Sequence, residues 1–161
     1  MMMVVYLLCL GVMVGMELAA GIFVAPVIFF PQKLLGEGVL SHFQSGLLMT
    51  DIFVRMEMIL LIFCIVSFVY ELYLWLSKSK SKDQWALWFM MSACVCAGLF
   101  IFYYTPFIQQ AQLKGSAETM SEAFRVMHKH SEWAMKALVM SQILLFLRRA
   151  FLMKSQGSKG V

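Results

Sequence analysis

The sequence predicts an all-α fold, an integral membrane bundle of four helices, and three observations predict it. Of 161 residues, 61% are hydrophobic and only 14% charged, where an ordinary soluble domain carries about 25% charged residues. Mean hydropathy is +0.80. Four apolar runs each approach the roughly 20 residues that a helical bilayer crossing requires. They are expected to be helices, because an open strand leaves its backbone groups unsatisfied in lipid. The expected unit is one four-span membrane domain over residues 1–161, with little chain left for a soluble domain.

The first span is read at about Met3 to Val27. It lacks the basic start of a secretory signal and is longer than a signal core of roughly 7–15 residues, so it is expected to be retained despite a loosely cleavage-like Leu18-Ala19-Ala20-Gly21. Gly11, Gly15 and Ala19 recur at four-residue spacing, followed by Gly21 and Ala25, a pattern that lets helices approach closely, within the bundle or against a partner. Pro26 and Pro31 end the span. Between Pro31 and Asp51, the spacing of Leu34, Leu35, Val39, Leu40, Phe43, Leu47 and Leu48 predicts a short interfacial helix. The second span covers Ile52 to Leu76 and the third Trp85 to Ile108, ending in the aromatic belt of Tyr103 and Tyr104 before Pro106. Thr119-Met-Ser-Glu122 reads as a capping box, with Met120, Phe124, Met127 and Ser131 following at helical spacing. The fourth helix is therefore expected to start outside the membrane, extend over residues 119–132, cross at about Trp133 to Phe151, and leave a tail at 152–161. No internal repeat or low-complexity tract is found.

Charge placement gives the orientation. Lys78, Lys80 and Lys82 crowd one short connection, and Arg148, Arg149, Lys154 and Lys159 follow the last span. The opposite side holds Lys33, Arg55, Lys114, Arg125, Lys129 and Lys136, diluted by Glu37, Asp51, Glu118 and Glu122. The compact Lys-rich turn predicts both termini in the cytoplasm. A net charge of +4 distributed as topological markers gives no nucleic-acid surface. Cys9, Cys64, Cys94 and Cys96 all fall in apolar runs without a CxxC pair and read as small hydrophobes. The 15 methionines are spread along the spans and read as core filling rather than a copper site.

Polar groups at depth each cost a few kcal/mol unless paired or hydrated, so function is sought among them. At about 1.5 Å per residue, Glu17 lies in the outer half of the bilayer, and Arg55 reaches a similar depth. A Glu17–Arg55 pair is expected, setting helix register or serving an ion or proton site. Glu57 and Glu71 share a face of the second span but lie roughly 21 Å apart, so they form no acid–base pair, and each is expected near one membrane surface. On the fourth helix, Phe124, His128, Ser131, Met135, Leu138 and Gln142 form a stripe, with His130 pointing away. His128, Ser131 and Gln142 make the best polar seam. A histidine here either bonds a neighbouring helix or holds haem, a metal or a quinone, with His42 the available second ligand. No phosphate loop, GxSxG or HExxH occurs. No catalytic residue, metal site or resident cofactor is therefore assigned.

Ala25-Pro26-Val27-Ile28-Phe29 at the end of the first span, Tyr104-Thr105-Pro106-Phe107-Ile108 at the end of the third, and Phe124-x-x-x-His128-x-x-Ser131 leading into the fourth occur together and in order. In this the chain resembles the bacterial membrane family of domain of unknown function 4149, similar to the eukaryotic transmembrane-protein-205 group. The resemblance implies that Pro26, Phe29, Pro106, Phe124, His128 and Ser131 carry the family pattern toward the outer side. Where that pattern often continues with an Asn, this chain has Met135. It implies a fold and no activity.

Two functions follow. The leading one is a non-catalytic multi-pass inner-membrane protein that stabilises or assembles a larger complex, with the bilayer and another membrane protein, or a second copy, as partners. The other is binding or transport of a small ligand (haem, a metal ion, a quinone or a proton) along the outer seam of Glu17, Arg55, His128, Ser131 and Gln142. A membrane enzyme has no supporting motif.

Overall fold

A computed structural model describes residues 2–36, 38–77 and 83–157, all without strands. Glu37, Lys78, Lys80, Lys82 and Lys159, which enter the charge reading, lie outside the described residues. The first helix, α1 (Met2–Ala19), passes into a π-helical turn at Ala20–Val24 and then α2 (Ala25–Phe29). Proline cannot donate to the carbonyl four residues back and its ring crowds that carbonyl. The wider π turn carries the chain past the conflict without a break. A one-turn helix, α3 (Gln32–Leu35), and a link through Gly36 at φ 85° lead to α4 (His42–Leu76). The positive φ there suits a residue without a Cβ.

The chain returns in α5 (Gln84–Leu99), a second π turn at Phe100–Tyr104, and α6 (Thr105–Lys114) with Pro106 near its start. Gly115, φ 106°, then turns the chain into α7 (Ser116–Thr119), before the 36-residue α8 (Glu122–Gly157). Among the described residues, three helical stretches are long and apolar enough to cross a membrane: Met2–Phe29, His42–Leu76 and Gln84–Lys114. Helix α8 is as long as these but more polar, and composition alone does not place it with them.

Several expectations change. The separate interfacial helix before Asp51 is instead the first two turns of α4, started by a capping box. The Ser41 amide donates to Gln44 Oε1 at 2.8 Å, and the Gln44 amide to Ser41 Oγ at 3.2 Å. Thr119 does not cap the last helix. Its hydroxyl donates to the Ser116 carbonyl at 2.9 Å and closes α7, while Ser121 accepts from the Phe124 amide at 3.1 Å and starts α8. An N-cap side chain accepts from an amide two or three residues further on, and Ser121 does so from Phe124.

The chain also divides into two halves of like order, although no repeat is visible in residue identity. The π turns begin at Ala20 and Phe100, the proline helices at Ala25 and Thr105, and the long helices at His42 and Glu122, each pair separated by 80 positions. Ser41 and Ser121 cap at the same offset. The buried positions Tyr6, Leu10, Met13, Glu17 and Ala20 correspond in the same way to Ala86, Met90, Ala93, Ala97 and Phe100. The repeat lies in helix breaks, caps and burial, which constrain residue class rather than identity.

Helix α5 packs most extensively against α8 and next against α4, while α1 packs on α8. Helices α1 and α4 lie apart along much of their length, although the Tyr6 and Tyr70 rings come within 4.6 Å, and an open seam runs between them. The close-packing face sits on α5, where Ala86, Ala93 and Ala97 are buried together with Met90. The small residues of α1 are used less. A Cβ on Gly11 would meet the Phe146 ring at 3.6 Å, whereas Gly15 and Gly21 face open space and Ala19 is half-buried. Near the chain termini, Arg149 and Glu71 form a fully buried pair, with Arg149 Nε donating to Glu71 Oε1 at 2.9 Å and a second bond from Arg149 Nη2 to Glu71 Oε2. Beside it Arg148 donates to Asp83, the N-cap of α5, at 2.6 Å. Glu71 is thus paired inside the bundle, and Arg148 and Arg149 tie α8 to it.

Candidate functional site

At the end away from the termini the two halves enclose a cavity of about 870 Å³, partly open to the outside. Its walls come from α1 and both π turns below and from the cap formed by α2, the start of α4, α6, α7 and the start of α8 above. Two bonds fix the cap on α4. The buried Ser45 hydroxyl donates to the Ile28 carbonyl at 2.7 Å, filling an acceptor left open where α2 ends, and Gln112 donates to Thr50 Oγ1 at 2.9 Å. The lining is predominantly apolar with a few polar groups, the composition and size of small-molecule sites, which span about 300–1,000 Å³.

Glu17 forms the polar floor. It is 5% exposed, and Gln142 Nε2 donates to its Oε1 at 3.1 Å. Its Oε2 and the Gln142 Oε1 are buried without a hydrogen-bond partner among the described residues. Such atoms in a native structure call for an explanation, because leaving one costs about 1–3 kcal/mol. Higher up, the Thr105 hydroxyl lines the cavity and donates to Glu57 Oε1 on α4.

The Glu17–Arg55 pair does not form. Arg55 points outward, with its side chain 77% exposed, and donates to Asp51 at 2.7 Å. Depth along two helices says nothing of the direction each side chain faces, and α1 and α4 are separated by the open seam. The structure instead brings Glu17 to Gln142. His128 and Ser131 line the cavity nearer the rim, about 16 Å along α8 from Gln142 to Ser131. The His128 ring stacks on Phe124 at 5.8 Å, with Nε2 3.6 Å from Glu132, and the Ser131 hydroxyl bonds back to the His128 carbonyl at 2.7 Å. His42 rests on Phe29 at 5.5 Å on the facing wall. Pro26 and Pro106 each follow a π turn bordering the cavity, and Gly21 lies on its wall.

A family model described as a domain of unknown function, DUF4149, matches residues 8–117. The chain belongs to that family. The matched part carries Glu17, both π turns and both proline helices, while Phe124, His128, Ser131 and Gln142 lie beyond it on α8. No curated protein and no solved structure matches the chain.

Sequence reasoning missed Thr105 with Glu57 and the Glu71–Arg149 pair. The signal for the second was available: Glu71 near the end of one long apolar run and Arg149 near the end of another, both on the terminal side. Charge read as a topology marker hid charge used for packing.

Proposed function

We propose that this DUF4149 protein crosses the bacterial inner membrane four times, with both termini in the cytoplasm, and binds a small amphiphilic ligand in the cavity between its halves. It acts as a binding or transport component without catalysis. The observation that carries this reading is the chamber of about 870 Å³ whose floor is the buried Glu17, one of whose carboxylate oxygens lacks a partner among the described residues.

Helix α8 supplies the fourth crossing. Its 36 residues extend about 54 Å, beyond the roughly 30 Å of hydrocarbon. Within the part that would cross, three polar residues are turned inward: Gln142 to Glu17, Ser141 to Ser92 at 3.1 Å, and Arg149 to Glu71. Two hairpins of two crossings each give parallel repeats about an axis along the membrane normal, and transporters built on repeats hold substrate at the repeat interface. Here the interface contains the cavity. Gentle extraction from native membranes followed by native mass spectrometry tests the reading. A small molecule released from the native protein and missing from Val139→Trp, which fills the cavity wall, supports it. Equal retention by both, or none by either, contradicts it.

Assembly with another membrane protein is a second reading, favoured by the open seam between α1 and α4, where an apolar groove of about 740 Å³ runs along both helices. Val12 lines this groove with an exposed side chain, so Val12→Trp should leave the fold intact while displacing a partner seated there. Co-purification of one partner with the native protein and not with that variant supports this reading. Identical profiles contradict it.

A further inference from the structure

We infer that the cavity selects a lipophilic amine, an ammonium head carrying N–H groups on an apolar body, and that Glu17 is its counter-charge. The inference rests on the ligand-binding reading above and names the chemistry of that site. Two observations point to a cationic donor. Glu17, a residue of the cavity floor, is held from one side by a neutral amide, Gln142 Nε2 to Oε1 at 3.1 Å, and its other oxygen, enclosed until the carboxylate turns toward the cavity, has no donor among the described residues. With Glu17 ionised, both unpartnered atoms of the pair, Glu17 Oε2 and Gln142 Oε1, are acceptors, so the site lacks donors and has no use for a ligand that brings only acceptors.

The protein does not supply the missing charge from the described cavity wall. The lysine that lines it, Lys136, stands near the rim, 3.5 Å from Glu132 and over the Trp133 ring at 5.2 Å. Arg55 is committed to Asp51 on an outer face. A buried carboxylate is retained at tolerable cost when a charge and hydrogen bonds meet it. An ammonium group at Glu17 Oε2 supplies both in one atom, and its hydrocarbon body lies among Phe53, Phe100, Met135 and Ile143 on the walls. A carboxylate or phosphate head would place like charge against Glu17. An alcohol would donate one bond but bring no charge. Charge-assisted hydrogen bonds are about twice as strong as neutral ones, so the amine leads its alcohol analogue.

The test is calorimetric titration of the full chain in neutral detergent with decylamine, decanol and decanoate, using the native protein, Glu17→Gln and Val139→Trp. Folding of each is checked by circular dichroism and gel filtration. The expected result is saturable decylamine binding, weaker decanol binding and no decanoate binding. Glu17→Gln should weaken decylamine by about tenfold to a hundredfold, as loss of one charge-assisted bond implies, and leave decanol little changed. If decanol or decanoate binds as tightly as decylamine and Val139→Trp removes it, the amine assignment is overturned while the cavity reading stands. Decylamine binding unaffected by Glu17→Gln also overturns the assignment. If none of the three binds the native protein, both readings fall. Should Glu17→Gln not fold, Glu17→Asp, which keeps the charge and withdraws it by one methylene, is expected to weaken the amine selectively, and an equal loss for decanol counts against the proposal.

Discussion

Glu17 and Arg149 show how a few polar side chains organise a molecule made of apolar ones. Both are buried, and their partners come from a helix distant in sequence. Removing one member of a buried ion pair strands the other, at about 3–5 kcal/mol, whereas replacing both by apolar residues of similar volume is often neutral. Glu71→Leu alone and Arg149→Met alone should therefore each lower thermal stability in detergent strongly, and the double variant should recover most of the loss. Additive losses in that double-mutant cycle would show that the two side chains do not act as a pair. The inward position of Glu17 was legible in the sequence from its depth in an apolar run. Its partner was not. Gln142 sits 125 residues further along the chain, and nothing in spacing alone favours it over Arg55.

The helices themselves were largely readable as elements, since long apolar runs in lipid have no other way to satisfy their backbone. Their starts were less so. Ser41-x-x-Gln44 carries the capping-box pattern but lies in a stretch that reads as an interfacial segment, and Ser121 competes with Thr119 two residues earlier. Ser41→Ala is expected to cost about 1 kcal/mol, the usual loss for an N-cap, measured as a lower unfolding midpoint with the first turn of α4 exchanging amide hydrogens faster. The packing face was read on α1 because glycines are conspicuous there, while the alanines of α5 do the close packing. Ala93→Leu, which forces extra methylenes into a filled core, should cost about 1–3 kcal/mol. Gly15→Leu, facing open space, should cost far less. Similar losses for the two variants would contradict the assignment of the central helix.

At the scale of the whole molecule, two hairpins share one plan of π turn, proline helix and capped long helix. The plan was hard to see in sequence because breaks and burial repeat while most residues do not: Pro26 matches Pro106 and Ser41 matches Ser121, but Glu17 stands where the second half has Ala97, and Thr105 where the first has Ala25. That asymmetry concentrates the polar chemistry on one wall of a shared cavity. The account depends on Glu17 being reachable from the non-cytoplasmic side through that cavity and shielded from every other direction. Cysteine accessibility in intact cells, with the four native cysteines replaced, measures this directly. Glu17→Cys should react with a small water-soluble thiosulfonate added outside, more slowly when decylamine is present, while the lipid-facing Leu8→Cys stays unlabelled. A Glu17→Cys that is inert from outside, or labelled only once the cytoplasmic face is opened, would contradict the account.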